Sequence, residues 1–217
     1  MSLTSEAGSC TLRTFDDVSL EAETTVPLVP LAAVIIAHPH PLHGGNMHNA
    51  LVSALFEALP GAGVAVLRFN FRGAGKSTGA HDEGRSERFD VIAAIDHLTE
   101  LVPNVPVAAA GYSFGSIVAL AVNDPRIAGW LAIAPPLTAL GELLDPIAEV
   151  ATDPRPKMII HPAQDQYTAL ETAQKVTESW TNASIESIAS ADHFLAGRTG
   201  EVVFKSLMFF DRLTVKS

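Results

Sequence analysis

Residues 111–115 read Gly-Tyr-Ser-Phe-Gly and lie at the junction of two patterns. Before them, residues 106–110 are short, uncharged and apolar, which is typical of a strand buried on both faces. After them, residues 116–122 contain no Gly, Pro, Asn or Asp and predict a buried helix. The sequence therefore predicts a sharp strand-to-helix turn that holds the Ser113 hydroxyl clear of the sheet. Glycine is expected on both sides of this turn because a Cβ there would crowd the contact between strand and helix.

Strand and helix patterns alternate along the rest of the chain. Strands are predicted at 11–15, 18–24, 32–37, 64–69, 129–134, 158–161 and 185–188, and helices at 46–59, 86–101, 168–180 and 201–213. The first two strands form an opening hairpin polar enough to be edge strands. The alternation predicts an α/β fold, a mostly parallel sheet with helices on both faces, in a single domain over residues 1–217. Ligands bind such sheets at the carboxyl ends of the strands.

A serine hydroxyl is a poor nucleophile at neutral pH, so it needs a general base, and the base needs an orienting group. Among the eight histidines, His193 is the best candidate base because it follows the last predicted strand. Asp165 follows the preceding strand and is the candidate orienting acid. Asp145 and Asp153 lie one connection earlier and remain alternatives, whereas Asp192 is interpreted as a solvated loop carboxylate.

Acyl-transfer chemistry also needs N–H donors that stabilise the negative oxygen of the tetrahedral intermediate. The backbone N–H of Phe114, next to the candidate nucleophile, is expected to be one donor. The other is expected from the loop at 38–45, His-Pro-His-Pro-Leu-His-Gly-Gly. Its two prolines lack N–H groups, which leaves His40 or Leu42, and His40 is preferred.

The same region contains four histidines within eleven residues, a pattern that raises the hypothesis of a metal site. They are His38, His40, His43 and His48. The prolines constrain the backbone and no cysteine or carboxylate lies between the histidines, so no metal is predicted. The imidazoles are instead expected to shape a pocket.

Residues 70–77, Asn-Phe-Arg-Gly-Ala-Gly-Lys-Ser, approach the phosphate-binding pattern G-x-x-x-x-G-K-[ST]. Asn70 replaces its first glycine, and glycines, a histidine and an aspartate interrupt the helix that should follow Lys76. No nucleotide or other cofactor is therefore predicted. Asn70 and Arg72 are expected to hold this loop by hydrogen bonds.

Composition and net charge indicate which binding partners and which cellular location to expect. A formal net charge of −10 argues against binding to nucleic acid or to an anionic membrane. No apolar run approaches the ~20 residues that span a bilayer. The single Cys10 excludes an internal disulfide framework, and residues 1–14 lack a signal-peptide pattern. A cytoplasmic monomer or homodimer that acts on a small molecule is expected.

Taken together, the motifs resemble the α/β-hydrolase superfamily, in its small, lidless branch similar to dienelactone hydrolase. The matching residues between positions 32 and 195 are 38–41, 44–47, 68–73, Gly75, Ser77, 111–115, Asp165, His193 and Phe194. The resemblance implies a triad of Ser113, Asp165 and His193, in the superfamily's chain order, that hydrolyses small carboxylic esters through an acyl-enzyme without a cofactor.

The resemblance leaves alternatives open. A thioesterase or perhydrolase would use the same three residues, and a non-catalytic homologue would keep the fold alone. Hydrolases of this fold often insert a cap after the strand at 129–134, and here the segment at 135–156 is short. This predicts an open, shallow pocket that favours short acyl chains.

Overall fold

One eight-stranded sheet organises the computed structural model, which describes residues 6–215. Residues 1–5, part of the segment tested above for a signal peptide, and residues 216–217 lie outside this range. The strands are β1 (Glu6–Arg13), β2 (Ser19–Val26), β3 (Ala32–Ala37), β4 (Val64–Phe69), β5 (Val107–Tyr112), β6 (Ile127–Ile133), β7 (Lys157–Pro162) and β8 (Ala183–Ile188). Their order is β1-β2-β4-β3-β5-β6-β7-β8, and every pairing from β4 to β8 is parallel. The predicted α/β fold with a mostly parallel sheet is confirmed.

The described range also contains six α-helices, five between strands and one after the last strand. They are α1 (Ala50–Ala58), α2 (Glu87–Leu101), α3 (Phe114–Leu120), α4 (Leu144–Thr152), α5 (Leu170–Thr177) and α6 (Thr199–Val215). Short 3-10 turns at Pro41–His43, Leu59–Ala62 and Gly141–Leu143 supplement them. None of the helices in residues 6–215 combines the length and apolar character needed to cross a bilayer.

The sheet is buried between two apolar clusters, one on each face. In β3, alternate side chains belong to different clusters. Ala33 and Ile35 pack with residues of α2, α3 and α4, whereas Val34 and Ile36 pack with residues of α1 and α6. Successive side chains of a strand point to opposite faces, so a strand between two helical layers must be apolar throughout. All six residues of β3 and all six of β5 are buried, which explains their uninterrupted apolar sequences.

The two opening strands differ from the sequence-based prediction. The structure confirms an antiparallel hairpin, but β2 also pairs antiparallel with β4 through residues 22–25 and is therefore an interior strand. Its alternating burial explains the discrepancy: Leu20 and Ala22 face the core while Glu21 and Glu23 point to the other side. A strand with one half-polar face resembles an edge strand in sequence even when both neighbours are present.

The first helix is shorter than its apolar periodicity predicts. It begins after Asn49, whose side chain accepts a hydrogen bond from the Leu51 N–H as an N-cap. The preceding residues form a separate turn, in which Asn46 accepts hydrogen bonds from the His48 and Asn49 N–H groups. Competing side-chain acceptors of this kind end helices that periodicity alone would extend.

The strand order places a crevice at the centre of the sheet. The chain leaves β3 for β4 on one side and returns to β5 on the other, so β3 and β5 are neighbours whose following loops diverge. Ala37 at the end of β3 lies opposite Gly111 in β5. Ligand sites in open α/β sheets form at this kind of switch point, beyond the carboxyl ends of the strands.

Candidate active site

Ser113 occupies the turn between β5 and α3 in an unusual backbone conformation, with φ 53° and ψ −120°. Residues with a Cβ rarely adopt positive φ, and such strain costs about 1–3 kcal/mol. The Ser113 N–H donates to the Ile133 carbonyl oxygen of β6 at 2.8 Å, which helps to hold the turn against the sheet. The predicted sharp strand-to-helix turn is confirmed.

The glycines on either side of Ser113 are required by close backbone contacts. A Cβ on Gly111 would lie 2.2 Å from the Gly115 carbonyl oxygen, and a Cβ on Gly115 would lie 2.4 Å from the Ala37 carbonyl oxygen. These separations are far below van der Waals contact, and the atoms involved belong to the backbone, which cannot rotate away. The expected close approach of helix and strand is confirmed, and it also brings the end of β3 against the turn.

Gly111→Ala is expected to lower the free energy of unfolding by about 3 kcal/mol, because α3 would have to move away from β5. Urea denaturation measures the change. Gly200→Ala is the matched control, since an added Cβ there meets no atom within 4 Å, and the change is expected to be neutral or stabilising by up to about 1 kcal/mol. Unchanged stability of Gly111→Ala would contradict the close contact.

Ser113, His193 and Asp165 lie in one hydrogen-bonded chain. Ser113 Oγ is 2.8 Å from His193 Nε2, and His193 Nδ1 is 2.7 Å from Asp165 Oδ2. The three residues come from loops that follow β5, β8 and β7, in that order. The His193 and Asp165 side chains are almost fully buried, 7% and 1% exposed, so water competes little for their mutual hydrogen bond.

The surroundings of Asp165 favour its charged form. Burial raises its pKa, but hydrogen bonds from His193 and from the Tyr167 and Thr168 N–H groups outweigh burial and hold the pKa below the usual 3.8. The backbone donors lie 2.7 and 3.1 Å from Oδ1, which leaves Oδ2 for the imidazole. An ionised carboxylate only accepts hydrogen bonds. The His193 proton therefore lies on Nδ1, and Nε2 is free to accept from the Ser113 hydroxyl.

The remaining candidate acids lie away from this chain of hydrogen bonds. Asp153 pairs with Arg155 at 2.8 Å, and Asp145 is exposed on α4. Asp192 is exposed, and its Oδ1 accepts from the Phe194 N–H at 3.1 Å. The structure thus brings Asp165 to His193 and leaves the other three carboxylates outside.

Two further side chains hold the His193 backbone, and sequence reasoning did not find them. The Tyr112 hydroxyl donates to the His193 carbonyl oxygen at 2.9 Å, and Gln166 Oε1 accepts from the His193 N–H at 3.1 Å. Tyr112 belongs to the Gly-Tyr-Ser-Phe-Gly motif, but its partner lies 81 residues away. A hydrogen bond between residues so far apart in sequence cannot be predicted from a local sequence motif.

A buried histidine supports the loop that carries Asp165. His161 is fully buried on β7, and its Nε2 donates to the Thr168 carbonyl oxygen at 2.8 Å. Thr168 in turn donates its N–H to Asp165. His161 thereby helps to fix the loop whose Tyr167 and Thr168 N–H groups donate to the Asp165 carboxylate.

The loop after β3 lies beside the Ser113 turn. The His40 ring lies 4.8 Å from the Phe114 ring, which places this loop against the first residue of α3. Leu42 donates its N–H to His40 Nδ1 at 3.3 Å, whereas the His40 N–H has no acceptor in residues 6–215. The Phe114 N–H, first in its helix, likewise has no intrahelical partner. Of the two alternatives, His40 is the one with a free donor.

The four clustered histidines take different roles. His38 is buried, donates from Nδ1 to the Pro39 carbonyl oxygen and accepts the Phe71 N–H at Nε2, and burial lowers its pKa to about 4. The His40 ring stacks on His43 at 4.5 Å. His48 is exposed. In the part of the chain that the structure describes, no group of three or more His, Cys, Asp or Glu residues could hold a metal ion.

A glutamate occupies the loop that resembles a phosphate-binding sequence. Glu21 Oε2 accepts from Asn70 Nδ2 at 2.8 Å and from the Lys76 N–H at 3.0 Å. Arg72 pairs with Asp90 and Asp16 at 2.7 and 2.8 Å, so the hydrogen-bonded loop predicted from the sequence is confirmed. The Glu21 carboxylate accepts the Lys76 N–H and is itself an anion, so it disfavours binding of a phosphate group in this loop. In a phosphate-binding motif a helix follows directly, whereas α2 begins ten residues after the motif's last residue.

A cavity of 670 Å³ opens above Ser113. Its walls come from the loop after β3, from the segment between β6 and α4, and from the loops that carry Asp165 and His193. The residues lining it include His40, Leu42, His43, His81, Phe114, Leu140, Leu143, Tyr167 and Phe194. Cavities of ~300–1,000 Å³ hold drug-sized ligands, so this cavity has room for a small-molecule substrate, and the open, shallow pocket that favours short acyl chains stays a prediction. The segment at 135–156 carries no cap, and residues around its 3-10 turn, among them Leu140 and Leu143, form one wall of the cavity.

The fold and the Ser113 turn place the chain in the class of α/β hydrolases. A family model described as serine aminopeptidase, S33, matches residues 30–185, and the chain belongs to this family. An uncharacterized protein of Rickettsia prowazekii (strain Madrid E) is 34% identical over 189 residues, which cover 83% of this chain and 78% of that protein.

Solved structures agree with this class. An α/β serine hydrolase homologue from Coxiella burnetii superimposes with a TM-score of 0.82 at 29% identity, covering 93% of this chain and 96% of the other. A Xanthomonas campestris protein described as an α/β serine hydrolase without lid has a TM-score of 0.84, covering 95% and 94% of the two chains. At 24% identity, the second likeness shows the fold alone. The chain is a small, lidless α/β hydrolase, as its motifs predict.

Proposed function

We propose that the protein is a serine hydrolase that cleaves small-molecule carboxylic esters through an acyl-enzyme on Ser113. The observation that carries the proposal is the hydrogen-bonded chain from Ser113 through His193 to Asp165, at 2.8 and 2.7 Å. A serine whose hydroxyl contacts a base, where an acid in turn orients that base, has the arrangement that makes it nucleophilic. No cofactor takes part in the proposed reaction.

The first step acylates the enzyme. His193 Nε2 removes the Ser113 proton as Oγ attacks the ester carbonyl carbon, and the carbonyl oxygen becomes negative. The Phe114 and His40 N–H groups stabilise that oxygen, and each such donor is worth about 3–4 kcal/mol in characterised hydrolases. The imidazolium then gives its proton to the leaving alcohol oxygen, and Asp165 stabilises the imidazolium while that charge exists.

The second step releases the acid. Water enters at the position left by the alcohol, gives a proton to His193 and attacks the acyl carbon. The tetrahedral intermediate collapses when the imidazolium returns the proton to Ser113 Oγ. The same base and the same donors therefore serve both halves of the reaction.

The family description names an aminopeptidase, and the charge of the cavity separates the two substrate classes. A peptide with a free N-terminus carries an ammonium group there, and holding that charge in a cleft is favoured by a carboxylate partner. Among the lining residues of the described chain, Glu83 is the sole carboxylate, and it is exposed. Within residues 6–215, Lys and Arg do not line the cavity either. A neutral ester fits this lining better than a charged peptide.

Labelling with a fluorophosphonate tests the proposal. The reagent is expected to add to one residue, and peptide mapping is expected to place the added mass on Ser113. The labelled protein is expected to lose hydrolysis of p-nitrophenyl butyrate in proportion to labelling. Leucine p-nitroanilide serves as the peptidase substrate. Absence of labelling in a folded protein, or cleavage of the anilide in preference to the ester, would contradict the proposal.

A further inference from the structure

Two exposed aromatic side chains flank the imidazole of His193 at the mouth of the cavity. Tyr167 is 54% exposed, and its ring centroid lies 4.4 Å from that of His193. Phe194 is 61% exposed, and its ring centroid lies 5.9 Å from that of His193. Exposed aromatic side chains beside a reactive group offer apolar surface that a substrate can cover. Both side chains line the same cavity as Ser113.

Proton transfer from His193 to the leaving oxygen indicates which part of a substrate contacts the Tyr167 and Phe194 rings. In the proposed reaction, His193 Nε2 protonates the leaving oxygen, so that oxygen must come within hydrogen-bond distance of the imidazole. The alcohol part of the ester therefore begins at the imidazole edge, between Ser113 and the two aromatic side chains. The carbonyl oxygen instead meets the proposed donors of the oxyanion site, the Phe114 and His40 N–H groups.

The position of both rings is set by the loops that carry the acid and the base. The Tyr167 N–H donates to Asp165 Oδ1 at 2.7 Å, and the Phe194 N–H donates to Asp192 Oδ1 at 3.1 Å. The backbones of the two aromatic residues are thus anchored before a substrate arrives, which lowers the entropic cost of binding against them.

We propose that Tyr167 and Phe194 form a subsite for the alcohol part of the substrate and that this subsite selects esters of uncharged aromatic alcohols. The inference rests on the proposed function and deepens it. A flat ring can stack against or pack edge-on to both side chains, and such contacts exceed the effect of buried area alone. Among the described residues, Glu83 is the one carboxylate in the cavity lining, and it belongs to the loop before α2 rather than to the loops of Asp165 and His193.

Four butyrate esters test the subsite because they share one acyl-enzyme and differ only in the alcohol. They are methyl, benzyl, cyclohexylmethyl and choline butyrate, and release of acid measures kcat/KM for each. The benzyl ester is expected to exceed the cyclohexylmethyl ester, which has similar apolar size but no aromatic ring, by about fivefold. Both are expected to exceed the methyl ester, which leaves the subsite empty.

Variants test whether Tyr167 and Phe194 cause the preference for the benzyl ester. Tyr167→Leu and Phe194→Leu are each expected to lower the benzyl to cyclohexylmethyl ratio of kcat/KM, and the double variant to bring it to about one. The ratio is the readout because any general damage to catalysis affects both esters alike. Phe204→Leu is the matched control, since Phe204 is an exposed aromatic residue of α6 outside the cavity lining, and its ratio is expected to equal that of the unchanged protein.

Distinct results would overturn the subsite and the proposed function. If Ser113 is labelled and the esters are cleaved, a ratio near one in the unchanged protein would overturn the subsite alone. A ratio that survives both aromatic replacements, or a preference for choline butyrate, would do the same. Failure to cleave any of the four esters, together with an unlabelled Ser113, would overturn the proposed function and the subsite with it.

Discussion

Replacing Ser113 with alanine is expected to reduce ester turnover by about 10⁴-fold or more, with the fold intact. The substitution removes only the hydroxyl oxygen, and alanine has the same Cβ that serine already carries at φ 53°. No new backbone strain arises, so the thermal midpoint is expected to stay within a few degrees. Steady-state hydrolysis of p-nitrophenyl butyrate and a thermal melt measure the two effects.

Ser190→Ala is the matched control for this substitution. Ser190 is an exposed serine that also has positive φ, 55°, so its replacement repeats the backbone context without touching the hydrogen-bonded chain. Its turnover is expected to equal that of the unchanged protein. Retention of more than a tenth of the activity by a folded Ser113→Ala variant would contradict the assignment of the nucleophile.

Asp165→Asn is expected to lower kcat by about 10³–10⁴-fold with little change in KM. An amide in place of the carboxylate presents an N–H toward His193 Nδ1 and favours the tautomer with the proton on Nε2. That tautomer cannot accept the Ser113 proton. The neutral amide also gives less stabilisation to the imidazolium formed during acylation. Steady-state kinetics over a range of ester concentrations separate kcat from KM.

Asp192→Asn controls for the loss of one carboxylate close to His193. Asp192 is adjacent to the base in sequence, but it is exposed and bonds the Phe194 N–H, which an asparagine oxygen can also accept. Its kcat is expected to change by less than about threefold, as for a solvated surface charge. Equal losses in the two variants would mean that the loop's total charge, rather than the Asp165 contact, supports the imidazole.

The sequence predicts the order and type of most elements, although not α4, because a parallel sheet between two helical layers leaves a strong pattern. Strands buried on both faces, such as β3 and β5, must be continuously apolar, and helices alternate with them. The Ser113 turn is predictable for a related reason. Two backbone contacts exclude any Cβ, so glycine is required on both sides of the serine.

The candidate site is predictable where residues follow strands and less so where they meet across the fold. The sequence predicts Asp165 and His193 by their places after β7 and β8, and the structure places His193 beside Ser113 and Asp165 beside His193. The partners Gln166 and His161 have no such marker, because their hydrogen bonds depend on how two loops meet. The shape of the cavity also depends on the path of the 135–156 segment, which composition does not determine.

Trapping the covalent intermediate tests the central claim most directly. The protein is mixed with p-nitrophenyl butyrate, quenched with acid within milliseconds to seconds and digested, and the peptides are weighed by mass spectrometry. The account predicts one butyryl group on the peptide that contains Ser113 and none in the Ser113→Ala variant. Hydrolysis of the ester with the butyryl group on another residue, or with no acylated peptide at any quench time, would contradict it.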